Sequence, residues 1–420
     1  MFKRKKGQTE KYHGQVILSE NNDSIQNKEL AYFTKDNFWT IDFPTTASAK
    51  FLTDFQPNQN AFIIRLLEAE KKNLLGKVAL DEFACGGTGL HAATGPIFNP
   101  YNLSRITGGS SSGSAWVVAK NLVPFALGHD TGDSIRRPAS YCGVVGFKPS
   151  YGLLSRAGVI PMASSLDTVG ILAQKTADIE SALAVISQKD PHDLLTEVTR
   201  SKRLSCPKNK VAIVAGIEKY LPIELNNLYH NAIERLKKLG YTIEKITIPK
   251  KIREHLQITY LILCSSELVS HLNSLQGVTY GIKDKVNITQ KRSKYLGEIV
   301  KQRLLIGAYF LENRELFVKA QKMRYLVDKW VKKTFKNYDF LVFPSTNNVA
   351  PPAANFAHSF SGLISSHWSD NLLLLANFSG LPSLSLPIGF INDLPVSISI
   401  NSNYGKDKEA LELAKNLEKS

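Results

Sequence analysis

Two periods of apolar spacing run along this chain, and the sequence switches between them repeatedly. Ala31–Tyr32–Phe33 is a short apolar run ahead of Lys35 and suits a half-buried strand. Ala61 to Leu75 (AFIIRLLEAEKKNLL) has apolar residues at helical spacing, ends in basic residues and stops at Gly76, which predicts a helix over 61–75. Lys77–Val78–Ala79–Leu80 then reads as a short strand. Val211 to Ala215 predicts a strand, Leu221 to Leu239 an amphipathic helix closed by Gly240, and Tyr241 to Ile248 a second strand. Residues 251–335 read as mostly helical, with long Lys/Arg-rich faces. Tyr338–Phe343, Leu384–Leu386 and Val396–Ile400 predict further strands, and Glu409–Leu417 a closing helix. Strands alternating with helices imply an α/β fold whose sheet is covered on both faces.

Ala84 to Gly170 breaks this pattern. Gly, Ser, Thr and Pro become frequent, and the apolar stretches between them shorten. Glycine at that density lets a backbone approach ligands closely, and loops of this kind on a rigid scaffold usually hold the chemistry. Ala115–Val118, Leu122–Leu127 and Val144–Phe147 run through the region and demand burial, which argues against a floppy linker. Residues 1–30 are polar, include Asn21–Asn22–Asp23–Ser24, and read as a loosely held leader to one domain over 31–420.

Composition narrows the class. A chain of 420 residues with 43% hydrophobic content can bury a large core. Lys and Arg number 52 against 37 for Asp and Glu, a formal net charge of +15. That charge can steer a polyanion such as RNA, and it equally suits a solvated surface. The four cysteines, Cys85, Cys142, Cys206 and Cys264, form no C-x-x-C pair, so neither a metal site nor a disulfide framework is expected, and a reducing cytoplasm fits. No apolar run approaches the ~20 residues needed to span a bilayer, so no membrane partner is expected.

Three segments are candidates for chemistry: Lys35–Asp36–Asn37, the run Gly108 to Ser114, and Asp130 to Pro138. The second opens into Ala115–Trp116–Val117–Val118–Ala119, a buried-helix pattern, so its N–H groups can bind an anion or its serines can simply cap the helix. The third places Ser134 after Gly132, where main-chain N–H groups can face a developing oxyanion; a lone serine in such a loop is usually just a turn former or helix cap.

DEFACGGTG (81–89), TGGSSSGSAWVVAKNLVPFALGHDTGDSIRRPASYCGVVGFKPSYG (107–152) and ASSLDTVGILA (163–173) resemble the amidase signature family. The likeness runs from about Lys35 to the C-terminus and is densest over 76–175. It implies a large mixed, twisted β-sheet covered by helices, with a helical, substrate-gripping part over about 251–380. It also implies a Ser-cisSer-Lys triad: Ser134 as nucleophile, Ser110 after a cis peptide bond as bridge, and Lys35 as base. The oxyanion hole would come from the backbone at Thr131, Gly132, Asp133 and Ser134. Position 133 departs from the family, which usually has Gly there, and this puts the oxyanion geometry in question. The leader also reads as shorter than in typical relatives. Lysine serves as a base only when neutral, and burial favours that form.

Within the family, the likeness is to the ammonia-generating subunit of a tRNA-dependent amidotransferase. It implies that Arg303 grips the carboxylate, and Asp370 the amino group, of glutamine. It implies B and C subunits as heterotrimer partners, with charged tRNA served through the complex. No cofactor is expected in this chain; ATP and Mg are expected at a partner protein. A stand-alone amidase for aryl or aliphatic amides and a catalytically weakened RNA-binding scaffold are the alternatives. A Ser-His-Asp arrangement through His129 and Asp130 is a minor one.

Overall fold

The computed structural model describes residues 16–20, 30–198, 208–275, 282, 286–356 and 367–420. Cys206 and most of the expected leader lie outside these residues. Eleven strands occur among them: β1 (Ile17–Glu20), β2 (Ala31–Lys35), β3 (Asn73–Val78), β4 (Phe125–Asp130), β5 (Val145–Lys148), β6 (Thr168–Ala173), β7 (Lys210–Val214), β8 (Thr242–Ile246), β9 (Phe340–Pro344), β10 (Ser383–Ile391) and β11 (Leu394–Ser402). They form one sheet in the order β1-β3-β2-β4-β6-β5-β10-β11-β9-β7-β8. Pairing is mixed: β2 runs parallel to β3 and β4, while β4, β6, β5, β10, β11 and β9 are joined by antiparallel ladders.

The side chains of the central strands sort by the strand period of two into different cores. Tyr32, Phe125, Leu127, Val169 and Ile171 join one core with the Phe62–Ala69 and Thr176–Ile186 helices. Ala31, Phe33, Ala126 and Leu172 join another with the Ser112–Ala119 and Arg136–Cys142 helices. Helices therefore cover both faces. β2 is buried along its whole length, which corrects the half-buried reading of 31–33. Near-continuous apolar strands are what two covered faces require.

Several element boundaries differ from the sequence reading. The helix predicted over 61–75 ends at Ala69; Lys71 turns the chain at φ 56°, and Asn73–Val78 is strand. This strand pairs with β2 on one side and β1 on the other, so the ladder overrides a helical apolar spacing. β1 itself falls within the expected leader, with Val16 and Ile17 buried. Leu384–Leu386 and Val396–Ile400 belong to one long hairpin, turned by Asn392 and Asp393 at φ 48° and 63°.

Candidate active site

β2 and β4 are parallel neighbours, so their carboxyl ends meet at the same edge of the sheet. Lys35 is the last residue of β2, and the loop from Thr131 to Ser134 follows β4 directly. Ser110 and Ser111 immediately precede the Ser112–Ala119 helix, which leads into β4. Topology thus gathers the three candidate segments at one place.

Lys35 is fully buried. Its Nζ donates to Ser110 Oγ at 2.7 Å, to Ser111 Oγ at 3.0 Å and to the His129 carbonyl at 3.0 Å. Burial pushes its pKa from 10.5 down to about 7, against the opposing pull of Asp130, Asp81 and Asp167. The Gly109–Ser110 peptide bond is cis. Gly109 has no room for a side chain: a Cβ there would run into Asp81 Oδ2. Asp81 cannot retreat, because its carboxylate receives the Gly89 and His91 N–H groups at 3.0 Å each. Gly109→Ala is expected to cost about 1–3 kcal/mol in urea denaturation and to shift the serine loop, lowering turnover as well. A variant of wild-type stability would show that the loop tolerates the side chain.

Ser134 is buried beside this pair, and its carbonyl accepts from Ser111 N at 3.0 Å. Its hydroxyl makes no hydrogen bond among the described residues, so the contact with Ser110 that the sequence reading expects is not formed here. The main-chain N–H groups of Thr131, Gly132, Asp133 and Ser134 likewise have no acceptor among the described residues. Successive unbonded main-chain donors are the kind of group an oxyanion hole uses. Arg136 braces the loop from behind, donating to Gly132 O at 2.8 Å and to both Asp130 carboxylate oxygens at 3.1 and 3.2 Å.

Asp133 does not stand alone beside these donors. Arg137, one helical turn on, donates from Nε to its Oδ2 at 2.5 Å. Neither Gly132 nor Asp133 has a positive φ, so aspartate enters position 133 without a backbone penalty. Arg137 also reaches Asp370, with Nη1 at 3.2 Å from Oδ2 and Nη2 at 2.7 Å from the carbonyl. The second Asp370 oxygen accepts from Asn347 N at 3.1 Å. Asp370 is thus already held by the protein rather than standing bare. Arg303 is buried and lines a cleft with Asp133, Arg137, Gln257, Tyr260 and Asn371.

His129 and Asp130 point elsewhere. His129 Nε2 lies 3.3 Å from Asp167, and Asp130 is committed to Arg136. Burial alone would raise the Asp167 pKa, but His129, Thr131 and the Ala163 N–H bring it to about 2.

The Amidase family profile matches residues 30–411. The chain belongs to the amidase family. The A subunit of the glutamyl-tRNA(Gln) amidotransferase of Mycoplasma pneumoniae is 36% identical over 96% of this chain and 88% of its own length. Its Mycoplasma genitalium counterpart is 36% identical over 94% and 87%. The crystal structure of the Thermotoga maritima protein of the same name superposes with a TM-score of 0.80 at 28% identity, covering 97% of this chain and 88% of that one. The amidase fold explains which residues the sequence reading passes over. Ser111, Asp81, Arg136 and Arg137 all lie in or beside the quoted motifs, yet most of their partners are remote in sequence. The paired charges of Arg136–Asp130 and Arg137–Asp133 at short spacing are the available signal.

Proposed function

We propose that this chain is the glutamine-hydrolysing subunit of a tRNA-dependent amidotransferase, which converts Glu-tRNA(Gln) to Gln-tRNA(Gln) together with partner proteins. The observation that carries the chemistry is the 2.7 Å contact between Lys35 Nζ and Ser110 Oγ in full burial. A neutral amine at Lys35 accepts the Ser110 proton, and Ser110 takes the Ser134 proton as Ser134 Oγ attacks the side-chain amide carbon. Relay contacts of this kind commonly close only around substrate. The N–H groups of the 131–134 loop stabilise the oxyanion. The C–N bond breaks, the proton returns through Ser110 to the departing nitrogen, and ammonia leaves a glutamyl ester on Ser134. Water, deprotonated through the same relay, hydrolyses the ester to glutamate.

Arg303 is the group for the substrate carboxylate, and a guanidinium pairs with a carboxylate bidentately. Asp370 shares its carboxylate between Arg137 and the substrate ammonium. The charged lining of the cleft favours a zwitterionic amino acid over an apolar or aryl amide. The Asp133–Arg137 pair removes the main reason to read the chain as a weakened scaffold. Ammonia would pass to a B subunit that activates the glutamyl-tRNA with ATP and Mg, assisted by a C subunit in a cytoplasmic heterotrimer.

Ser134→Ala is expected to abolish ammonia release from glutamine and labelling by a fluorophosphonate, measured on the chain with its co-expressed partners. Wild-type release by this variant would refute the assignment.

A further inference from the structure

Glu82 is a buried carboxylate that the proposed mechanism does not use. Both of its oxygens face one N–H group, that of Gly297, at 2.9 and 3.1 Å. Gly297 is the N-cap of the Glu298–Glu312 helix, which carries Arg303 into the cleft. The contact exists only because residue 297 is glycine: a Cβ there would collide with Glu82 Oε2. Glu82 also begins the segment that brings Gly86 and Gly87 to the same cleft. It starts the short Glu82–Ala84 turn, its own N–H donates to His91 O at 3.1 Å, and Gly86 and Gly87 just beyond line the cleft. Gly87 O in turn accepts from Gly109 N at 2.8 Å, next to Ser110. One carboxylate therefore ties the Glu82–Gly87 segment, which meets the serine loop at Gly109, to the start of the arginine-bearing helix. A negative charge at a helix N-terminus is favourable, and the tie acts less than two turns from Arg303.

We propose that Glu82 is a positioning residue that sets the reach of Arg303 into the cleft and thereby the affinity for a substrate carboxylate. This rests on the reading of Arg303 as the carboxylate grip. It assigns to Glu82 an effect on KM that is separate from the proton relay.

The charged and titratable groups facing Glu82 are Lys50 from the Lys50–Leu52 turn, Lys301 from the helix, and Cys85 from its own segment. Burial raises the Glu82 pKa to about 7, opposed by the Gly297 N–H, Lys301 and Lys50. Above that pH the carboxylate is charged and holds the helix end; below it, protonation weakens the hold. KM for glutamine should therefore rise as the pH falls through about 7.

The test is steady-state glutaminase kinetics on the full chain with its co-expressed partners. The substrates are glutamine and 4-aminobutanamide, which keeps the amide and amine but lacks the carboxylate. Glu82→Ala is expected to raise KM for glutamine about tenfold with kcat within about twofold, and to leave KM for 4-aminobutanamide unchanged. Glu82→Gln retains an acceptor for Gly297, so it should raise KM about threefold and remove its pH dependence, while kcat keeps its own acid limb. A proportional fall in kcat, or an equal KM increase for both substrates, would overturn the proposal. So would an unchanged glutamine KM in Glu82→Ala if Arg303→Gln still raises it; the Arg303 reading would then survive alone. If Arg303→Gln itself leaves KM unchanged, the carboxylate-grip reading falls and the Glu82 proposal with it.

Discussion

Lys35→Met should lower kcat for glutamine by at least about 10³-fold while the protein remains folded and becomes slightly more stable. Methionine matches the length of the lysine stem but offers no lone pair to take the Ser110 proton. Lys35 Nζ contacts Ser110, Ser111 and His129 O, and no other amine contacts Ser110 among the described residues. Lys148 is also buried with a pKa of about 7, but it donates to Pro149 O and is no substitute. A variant that kept a tenth or more of the wild-type kcat would remove Lys35 from the mechanism.

The stability half of this expectation follows from proton linkage. The folded pKa of Lys35 is depressed from 10.5 to about 7. Between these values the unfolded chain binds the proton and the folded chain does not, so stability rises with pH across that window. At and below about pH 7 the burial penalty is present in full, and Met removes it. Activity has the same sense for a different reason. The reactive form is the neutral amine, so kcat should climb as pH rises through about 7 and then level off. A gain in stability with a loss of turnover is the pattern expected of a strained functional group. Thermal denaturation at pH 7 checks the first, and a kcat–pH profile the second.

Lys35 and Ser110 stand out in the sequence as members of the K-D-N segment and the Gly/Ser run, but Lys77 and Lys148 sit just as near apolar strands, so only the family resemblance singles out the pair. Their contact is legible only through the family resemblance: 75 residues separate them, and no local rule reports such a meeting. The same distance problem hides Arg136. Its aspartate lies six residues back, but the Leu373 carbonyl and Ser383 hydroxyl that hold it are 237 and 247 residues away. The strand from Asn73 misleads because Leu74 and Leu75 continue a helical spacing, while the choice of strand is made by the partners β1 and β2. The central strands read unevenly for a related reason. Leu384–Leu386 and Val396–Ile400 are legible as strands, but Leu122–Leu127 and Val144–Phe147 read only as buried segments and Thr168–Ala173 is passed over, because short runs covered on both faces show no alternation.

Arg136→Met should cost about 3–5 kcal/mol of folding stability, the largest structural loss expected from a single change near the site. The guanidinium is fully buried and spends its donors on six contacts: two to the Asp130 carboxylate, and one each to Gly132 O, Leu373 O, Ser383 Oγ and Asn377 Oδ1. Burial alone would raise the Asp130 pKa; Arg136, Asn377 and the Ile135 N–H together hold it below its ordinary 3.8. Methionine would leave that carboxylate with only Asn377 Nδ2 and the Ile135 N–H, a buried charge without its counter-ion. Arg136→Lys should rescue little, because an ammonium cannot address carboxylate, carbonyls and amide with one planar fork. Asp130→Asn in the Arg136→Met background should recover part of the loss, since it removes the orphaned charge rather than the packing. Urea denaturation of the four proteins gives the cycle. Strict additivity, or a loss under about 1 kcal/mol for Arg136→Met, would mean that the pair does not act as a unit. In that case the brace behind the 131–134 loop would have to come from elsewhere, since Arg136 Nη2 is the only side-chain donor to Gly132 O among the described residues.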